Sequence, residues 1–564
     1  MEISCGASIA VESKGGGLCM DFARDELKSH LLAMFNRLDF DAKKPETKIL
    51  LEVRNSPVLR HDGYQILITE QGARITSRME RGVLHGVYHL LRMLGCSFWF
   101  SKTSVQIVPT VRRKTLESGL FTENPFVESR GICLYGITGK AVADVLASVD
   151  FMSKNGYNLL FTTYHRKGTA PAGAEAVFWD EVEATLLPHL EKRGIELCLW
   201  LEEGPAPGAS REKGHALAPK HFCRAEDAAL DAYLDELCAY LSAHTAISIL
   251  GPWPSCLFDT ACDWRCADKP RAVAVMARIN DAIKAVRPDI TLMHRGHAAP
   301  DAEKPMPDGS AALLNGPEHA FAWVEALGDR GAVYLLDDEM ANNARWQSNL
   351  WVQPHIGKAV VAAAANAGCK GVISIWRPLS AWWAASLNFS FLSEAYYHPE
   401  FSINVMIEKF ANDLWGFYGP SLVKAIALLY ANIQDSAIWS RPPRAAIGIC
   451  DHPHKRNAAL DLQNLRAFKA RLAEIQILLD EVPTARLDEH GRYHFDCLKA
   501  YITQQEQFFL LIDQFSANSD TAQKADAYYA LLDENRRAIG EGFTSGEYAH
   551  WCMKKQNFLC ENPE

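Results

Sequence analysis

The strongest constraint on this chain is an alternation. Between residues 130 and 376, eight short apolar runs (130–135, 157–163, 196–201, 247–250, 290–293, 311–314, 332–336 and 371–375) are separated by longer stretches. Most of those stretches carry apolar residues at helical spacing, at 139–155, 179–192, 225–243, 270–286, 319–327 and 356–367. Short continuous apolar runs read as strands buried on both faces, and helical crossovers between them imply a parallel sheet. Eight such units in about 270 residues predict a (β/α)8 TIM barrel, fold class α/β. A doubly wound sheet is the structural alternative. It does not explain why polar or aromatic residues follow nearly every strand on the same side.

Those residues are where chemistry is expected, because barrels of this type build their sites at the carboxyl ends of the strands. Strand seven stops abruptly at Asp337-Asp338-Glu339, with Trp346, Trp351 and three asparagines close behind. Adjacent carboxylates in a poorly solvated cleft raise each other's pKa, a cost that marks functional sites. The competing reading is a solvated acidic turn that caps a helix. Strand two ends at Tyr164-His165 and strand three at Glu202-Glu203. Gly251-Pro252-Trp253 follows strand four, His294-Arg295-Gly296-His297 follows strand five, Asn315 follows strand six, and Trp376-Arg377 follows strand eight.

Glycosidic cleavage needs one carboxylic acid to protonate the leaving oxygen and a second carboxylate as base or nucleophile. Aromatic faces suit the C–H faces of sugars. Asp338, Glu339, Asp337 and Glu203 are therefore the catalytic candidates. Tyr164, His165, Glu202, Trp253, His294, Arg295, His297, Asn315, Trp346, Trp376 and Arg377 are the substrate-binding candidates. A carboxylate separation of ~6.5–9.5 Å would favour inversion, and ~5–5.5 Å retention. Plainer roles compete: a cap or surface turn for Glu202-Glu203, and hydrogen-bonded packing for each histidine. His294-x-x-His297 with Asp337 is also a conceivable metal set, though a third neutral ligand is not evident.

Before the barrel, residues 1–120 read as a small α/β accessory domain. It has strands near 48–53, 65–69 and 73–77, the last two as a hairpin, and a helix over 81–94 ending at Gly95. The run Asp62-Gly63-Tyr64, then Arg81-Gly82-Val83-Leu84-His85-Gly86-Val87-Tyr88-His89-Leu90-Leu91, then Gly95, resembles the domain that precedes the barrel in several glycoside hydrolases. These include the family 20 β-hexosaminidases, the family 67 α-glucuronidases and related domains of unknown function. The resemblance implies an accessory domain packed beside a catalytic barrel and contributing little chemistry. The scatter of its polar residues along the sequence leads to the same expectation. The resemblance also departs. Family 20 enzymes carry an Asp-Glu pair at the end of strand four, whereas here that strand ends Gly251-Pro252-Trp253, with no carboxylate until Asp259 and Asp263. Asp338-Glu339 has the pair's spelling but falls on strand seven. The family 67 enzymes are similar in drawing carboxylates from late strands, yet they too take an acid from strand four.

The barrel is assigned to 121–400 and a C-terminal helical domain to 401–564, with amphipathic patterns at 407–417, 458–479, 493–515 and 522–539. A net charge of −10 without a long Lys/Arg run excludes a nucleic-acid surface. No stretch approaches the ~20 apolar residues of a membrane helix. The first residues lack a basic and an apolar region, so no signal peptide is expected. Fifteen scattered cysteines fit reduced thiols in the cytoplasm, apart from the denser group Cys256, Cys262 and Cys266, with Cys223 upstream, which is a candidate zinc turn. The expected function is an exo-acting glycoside hydrolase for a uronic-acid- or N-acetylhexosamine-containing glycoside. It needs no cofactor, takes a carbohydrate substrate, and leaves a homodimer open as its assembly. The alternatives are a non-catalytic carbohydrate-binding relative and a metal-dependent lyase or isomerase.

Overall fold

The computed structural model describes residues 1–99, 105–134, 142–164, 179–201, 227–253, 269–296, 299–300, 306–337, 354–376, 382–435 and 462–516. The chain opens with β1 (Glu2–Ser4), β2 (Ile9–Lys14) and α1 (Leu18–Phe35), then β3 (Thr47–Val53), β4 (Tyr64–Thr69), β5 (Gly72–Ser77) and α2 (Glu80–Leu94). Four short strands follow: β6 (Ser97–Trp99), β7 (Val105–Ile107), β8 (Arg113–Thr115) and β9 (Gly119–Glu123). Strands β2-β3-β5-β4-β9 form one sheet, and β4 and β5 are the expected antiparallel hairpin. The sequence pattern marks β3, β4, β5 and α2, and gives no signal for α1, for β2 or for the shorter strands.

Ile49, Leu51, Ile66, Ile68 and Ile75 of the sheet bury against Leu27 and Leu31 of α1 and Val83, Val87, Leu90 and Leu91 of α2. Each such side chain contributes about 1.5–3 kcal/mol on burial. Gly95 ends α2 at φ 112°, and the Cys96 amide reaches back to the Leu91 carbonyl (2.9 Å), the usual glycine stop for a helix.

Eight parallel strands then close a barrel in sequence order: β10 (Ser129–Leu134), β11 (Leu159–Tyr164), β12 (Glu196–Leu201), β13 (Ile247–Trp253), β14 (Thr291–Gly296), β15 (Ala311–Asn315), β16 (Ala332–Asp337) and β17 (Gly371–Trp376). Closure runs from Ser129↔Gly371 to Leu134↔Trp376 between β10 and β17. Helices α3 (Val142–Lys154), α4 (Trp179–Glu191), α5 (Asp227–Ala243), α6 (Lys269–Val286), α7 (Ala320–Leu327), α8 (Pro354–Ala367) and α9 (Trp382–Tyr397) follow the strands. The (β/α)8 expectation holds. Beyond it lie α10 (Ile403–Trp415), α11 (Gly419–Asp435), α12 (Leu462–Asp480) and α13 (Glu489–Ser516). Phe417, assigned from sequence to an apolar helix stripe, is 89% exposed, because α10 stops at Trp415.

One expectation fails. The polar residues of the N-terminal α/β region are clustered, not scattered. Asp62 is fully buried, and its Oδ2 accepts from Arg130 Nη2 (2.6 Å), Asn158 Nδ2 (3.0 Å) and Arg81 Nε (3.1 Å). Arg81 Nη1 also donates to Glu196 Oε1 (2.6 Å). Arg130 spends its other nitrogens on the Gly156, Val127 and Glu128 carbonyls. Burial alone would raise the Asp62 carboxyl, but the charges of Arg130, His85 and Arg81 outweigh it and hold the group far below the usual carboxylate range. Arg130, Asn158 and Glu196 lie at the amino ends of β10, β11 and β12. The Asp62-Gly63 and Arg81-Gly82 motifs therefore dock the sheet region onto the bottom of the barrel. A Cβ on Gly82 would fall 2.1 Å from Ser77 Oγ and 2.6 Å from the Asp62 carbonyl, so only glycine lets α2 approach this closely.

Candidate active site

The barrel fixes where each candidate residue starts from. Tyr164, Trp253, Asn315, Asp337 and Trp376 are the last residues of β11, β13, β15, β16 and β17, and His294 and Arg295 lie near the end of β14. Seven of the residues chosen from sequence thus share one rim. Neighbouring strands align several of them: Tyr164 pairs in register with Leu201, Trp253 with His294, and Asp337 with Ser374. In a closed ring of eight, β12 and β16 are four strands apart in either direction. The chain that leaves β12 toward Glu202 and Glu203 therefore starts diametrically opposite the chain that leaves β16 at Asp337.

The end of β13 is longer and more irregular than the sequence predicts. A register shift between Leu250 and Trp253 interrupts its ladder with β14. Gly251 sits there at φ 145°, and a Cβ would lie 2.3 Å from the Met293 carbonyl. An extra residue in one strand bends it and re-aims the side chains beyond the bend. Here the bulge carries the strand on to Trp253, beside His294. The sequence signal for it is Gly251-Pro252, which reads as a stop and not as a bulge.

His294 is fully buried, and burial pushes its pKa down to about 3. Its imidazole is neutral through the physiological range, which suits packing or a neutral hydrogen bond and not a protonated acid. The carboxylates that supply an acid and a base for glycosidic chemistry would have to come from the segments after β12 and β16. Asp338, Glu339, Glu202, Glu203, His165, His297, Trp346 and Arg377 lie outside the described residues. So do Cys223, Cys256, Cys262 and Cys266. Among the described residues no group of three His, Cys, Asp or Glu side chains is placed to hold a metal ion, and no helix is long and apolar enough to cross a membrane.

No protein-family model matches the sequence, and no curated protein matches it. Solved structures do. A family GH115 4-O-methyl-α-glucuronidase with specificity for decorated arabinogalactans superposes over 98% of this chain and 78% of its own, with a TM-score of 0.65 at 11% identity. A family GH138 enzyme targeting pectin rhamnogalacturonan II covers 94% of this chain and 74% of its own (TM-score 0.59, 12% identity). The GH20 β-N-acetylhexosaminidase from Streptomyces coelicolor A3(2) covers 74% and 92% (TM-score 0.53, 16% identity). At these identities the likeness is one of fold. The chain has the architecture of glycoside hydrolases that carry a (β/α)8 barrel, and the family 20 resemblance read from sequence holds at that level.

Proposed function

We propose that the chain is an exo-acting glycoside hydrolase for a uronic-acid- or N-acetylhexosamine-containing glycoside. Asp338 and Glu339, with Asp337, would supply one catalytic carboxylate, and Glu203 the other. The observation that carries this reading is the strand order of the closed barrel. It starts the Glu202-Glu203 and Asp337-Asp338-Glu339 segments from opposite sides of one rim. Aromatic Tyr164, Trp253 and Trp376 end intervening strands and suit the flat faces of a sugar. Arg295, near the end of β14, and Arg377, which follows β17 in sequence, would be cations for a uronate carboxylate. The named activities of the fold relatives, a glucuronidase and a hexosaminidase, support the two substrate classes. Buried thiols such as Cys19, Cys96 and Cys369 support a reducing, cytoplasmic setting.

A panel of aryl uronides, aryl N-acetylhexosaminides and neutral aryl hexosides, with proton NMR of the first product anomer, tests the reading. Release from one of the first two classes is expected. Hydrolysis of the neutral glycosides alone would overturn the substrate class. The absence of a carboxylate at the end of β13 favours one second reading, a carbohydrate-binding relative without turnover. Its signature is stabilisation by sugars with no glycosidic cleavage anywhere in the panel.

A further inference from the structure

At the end of the barrel opposite the rim lies a cavity of about 380 Å³, walled by α2, β6, the end of α3 and the later half of α9. This volume falls in the range of small-molecule sites. The cavity is unusual for its cations. Arg92, on α2, donates from Nη2 to the Lys154 carbonyl (2.6 Å) and to Asn155 Oδ1 (2.8 Å). Its Nε and Nη1 have no hydrogen-bond partner among the described residues. Lys154, the last residue of α3, is buried, and among the described residues its Nζ donates only to an amide oxygen, Gln106 Oε1 (2.9 Å). Neither cation forms an ion pair among the described residues. Both approach the ring of Phe98, at 5.5 and 5.7 Å from its centroid. Their nearest counter-charges act from beyond contact, Glu394 on Arg92 and Asp150 on Lys154. A buried cation without a contacting counter-ion is costly, so two facing one cavity favour an anion.

Hydroxyl groups complete the lining. Tyr397 Oη and Ser390 Oγ are buried without a hydrogen-bond partner among the described residues. Tyr397 is pinned in place: Gly156, at φ 73°, lies so close that a Cβ there would be 2.7 Å from the ring. One carboxylate, Glu394, lines the same space, and the Asp150 carboxylate that acts on Lys154 is already paired with Arg193. Arg92, Lys154 and Arg193 against Glu394 and Asp150 leave one excess positive charge. A third cation, Lys409, is already spent on Asp413 and Ser97. His89 is held down to about 4, by burial first and then by the Arg92 and His398 charges, so it adds no cation of its own.

We propose that this cavity is a second ligand site, separate from the barrel rim, that takes the oxyanion of a small molecule, a phosphate or a carboxylate. Arg92 and Lys154 hold the charge, and Tyr397 and Ser390 meet its oxygens or a neighbouring hydroxyl. Because the cavity lies where α2, the α3–β11 turn and α9 meet, occupancy would tighten the docking of the N-terminal sheet region onto the barrel.

Inorganic phosphate and D-glucuronate are the probes, with glucose as the neutral control, measured by thermal melting and calorimetry of the full chain at constant ionic strength. At least one oxyanion is expected to bind and raise the melting temperature, while glucose does neither. Hydrogen bonds to charged groups set the expected size: Arg92→Gln and Lys154→Met each weaken binding about tenfold or more. Tyr397→Phe keeps the packing and removes only the hydroxyl, so it guards against a folding defect in the charge variants. It should weaken binding several-fold with an unchanged melting temperature of the free protein. No binding of either oxyanion at about 10 mM, tenfold above a 1 mM dissociation constant, overturns the proposal. So does binding that survives all three substitutions, or glucuronate binding that is lost only in Asp338→Asn/Glu339→Gln, which would assign it to the rim.

Discussion

At the amino ends of β10, β11 and β12, Arg130, Asn158 and Glu196 are consumed by Asp62 and Arg81 in a network that is buried at Asp62, Arg130 and Asn158 and reaches the surface at Glu196. At the carboxyl ends of β11 and β12 the chain passes instead through Tyr164 and Leu201 toward His165, Glu202 and Glu203, and β16 ends at Asp337. At the docking contact the charges answer one another within the chain. At the opposite end, four strands finish at one acid, Asp337, and three aromatics, Tyr164, Trp253 and Trp376, with Ser374 beside Asp337 and Trp253 beside His294 as in-register neighbours. The contrast separates two kinds of polar residue on one scaffold. Charges that answer each other hold the fold, whereas charges at the carboxyl ends of barrel strands are where the proposed function looks for its carboxylates.

The sharpest way to break this contrast is to exchange the expected defects. Asp338→Asn/Glu339→Gln should lower turnover on the best aryl glycoside by about 10⁴-fold or more, equivalent to over ~5 kcal/mol of barrier. The melting temperature should stay near that of the parent. Activity retained within tenfold would remove these carboxylates from the mechanism. Asp62→Ala should do the opposite. Removing Asp62 leaves the fully buried Arg130 uncompensated, while Arg81 keeps Glu196, and about 3–5 kcal/mol of stability should be lost. Turnover measured where the variant is still folded should be nearly unchanged. Urea unfolding reads the loss, and a cost under about 1 kcal/mol would mean the network is solvated in solution.

The bulge in β13 joins the two kinds of effect. Gly251→Ala places a Cβ against the Met293 carbonyl at a φ that L-residues rarely adopt, so about 1–3 kcal/mol of stability should be lost. The same strain would displace Trp253 from His294, so KM should rise more than kcat falls. A stability loss with an unchanged KM would show that Trp253 does not meet the substrate.

How much of the molecule is legible in its sequence depends on periodicity and range. All eight barrel strands announce themselves as short apolar runs, and β12 matches the expected 196–201 residue for residue. The helix α9 does not, because the segment is buried on every side. Leu387, Phe389, Phe391 and Leu392 are buried, and so are Ser386, Asn388 and Ser390 between them. A helix covered all round shows no amphipathic stripe to detect. The end of β13 is hidden because Gly251-Pro252 punctuates a sequence as a break. The rim is legible for the same reason as the strands, since the acids and aromatics come directly after apolar runs. The docking network is half visible. Asp62-Gly63 and Arg81-Gly82 stand out as a motif, but Arg130 lies 68 residues beyond Asp62, and no local pattern says which carboxylate it will meet.

The smallest effect bears on both ends at once. His85, beside Asp62, and His294, near the carboxyl end of β14, are both pushed down to about 3, in each case first by burial. An unfolded histidine titrates near 6.5. Between that value and about 3 the unfolded chain binds more protons than the folded one, so stability rises with pH there. The contribution is complete above about pH 6.5 and is lost as the pH falls toward 3. Asp62, held far below its ordinary value, adds a second loss that begins only below about pH 4. Each histidine should contribute a slope of up to ~1.4 kcal/mol per pH unit within its window. Urea unfolding at pH 7, 6, 5 and 4 should show this slope reduced by about one proton in His85→Gln and again in His294→Gln. A reduction in the first variant but not the second would mean that water reaches His294 in solution. The two ends of the barrel would then differ in hydration as well as in how their charges are used.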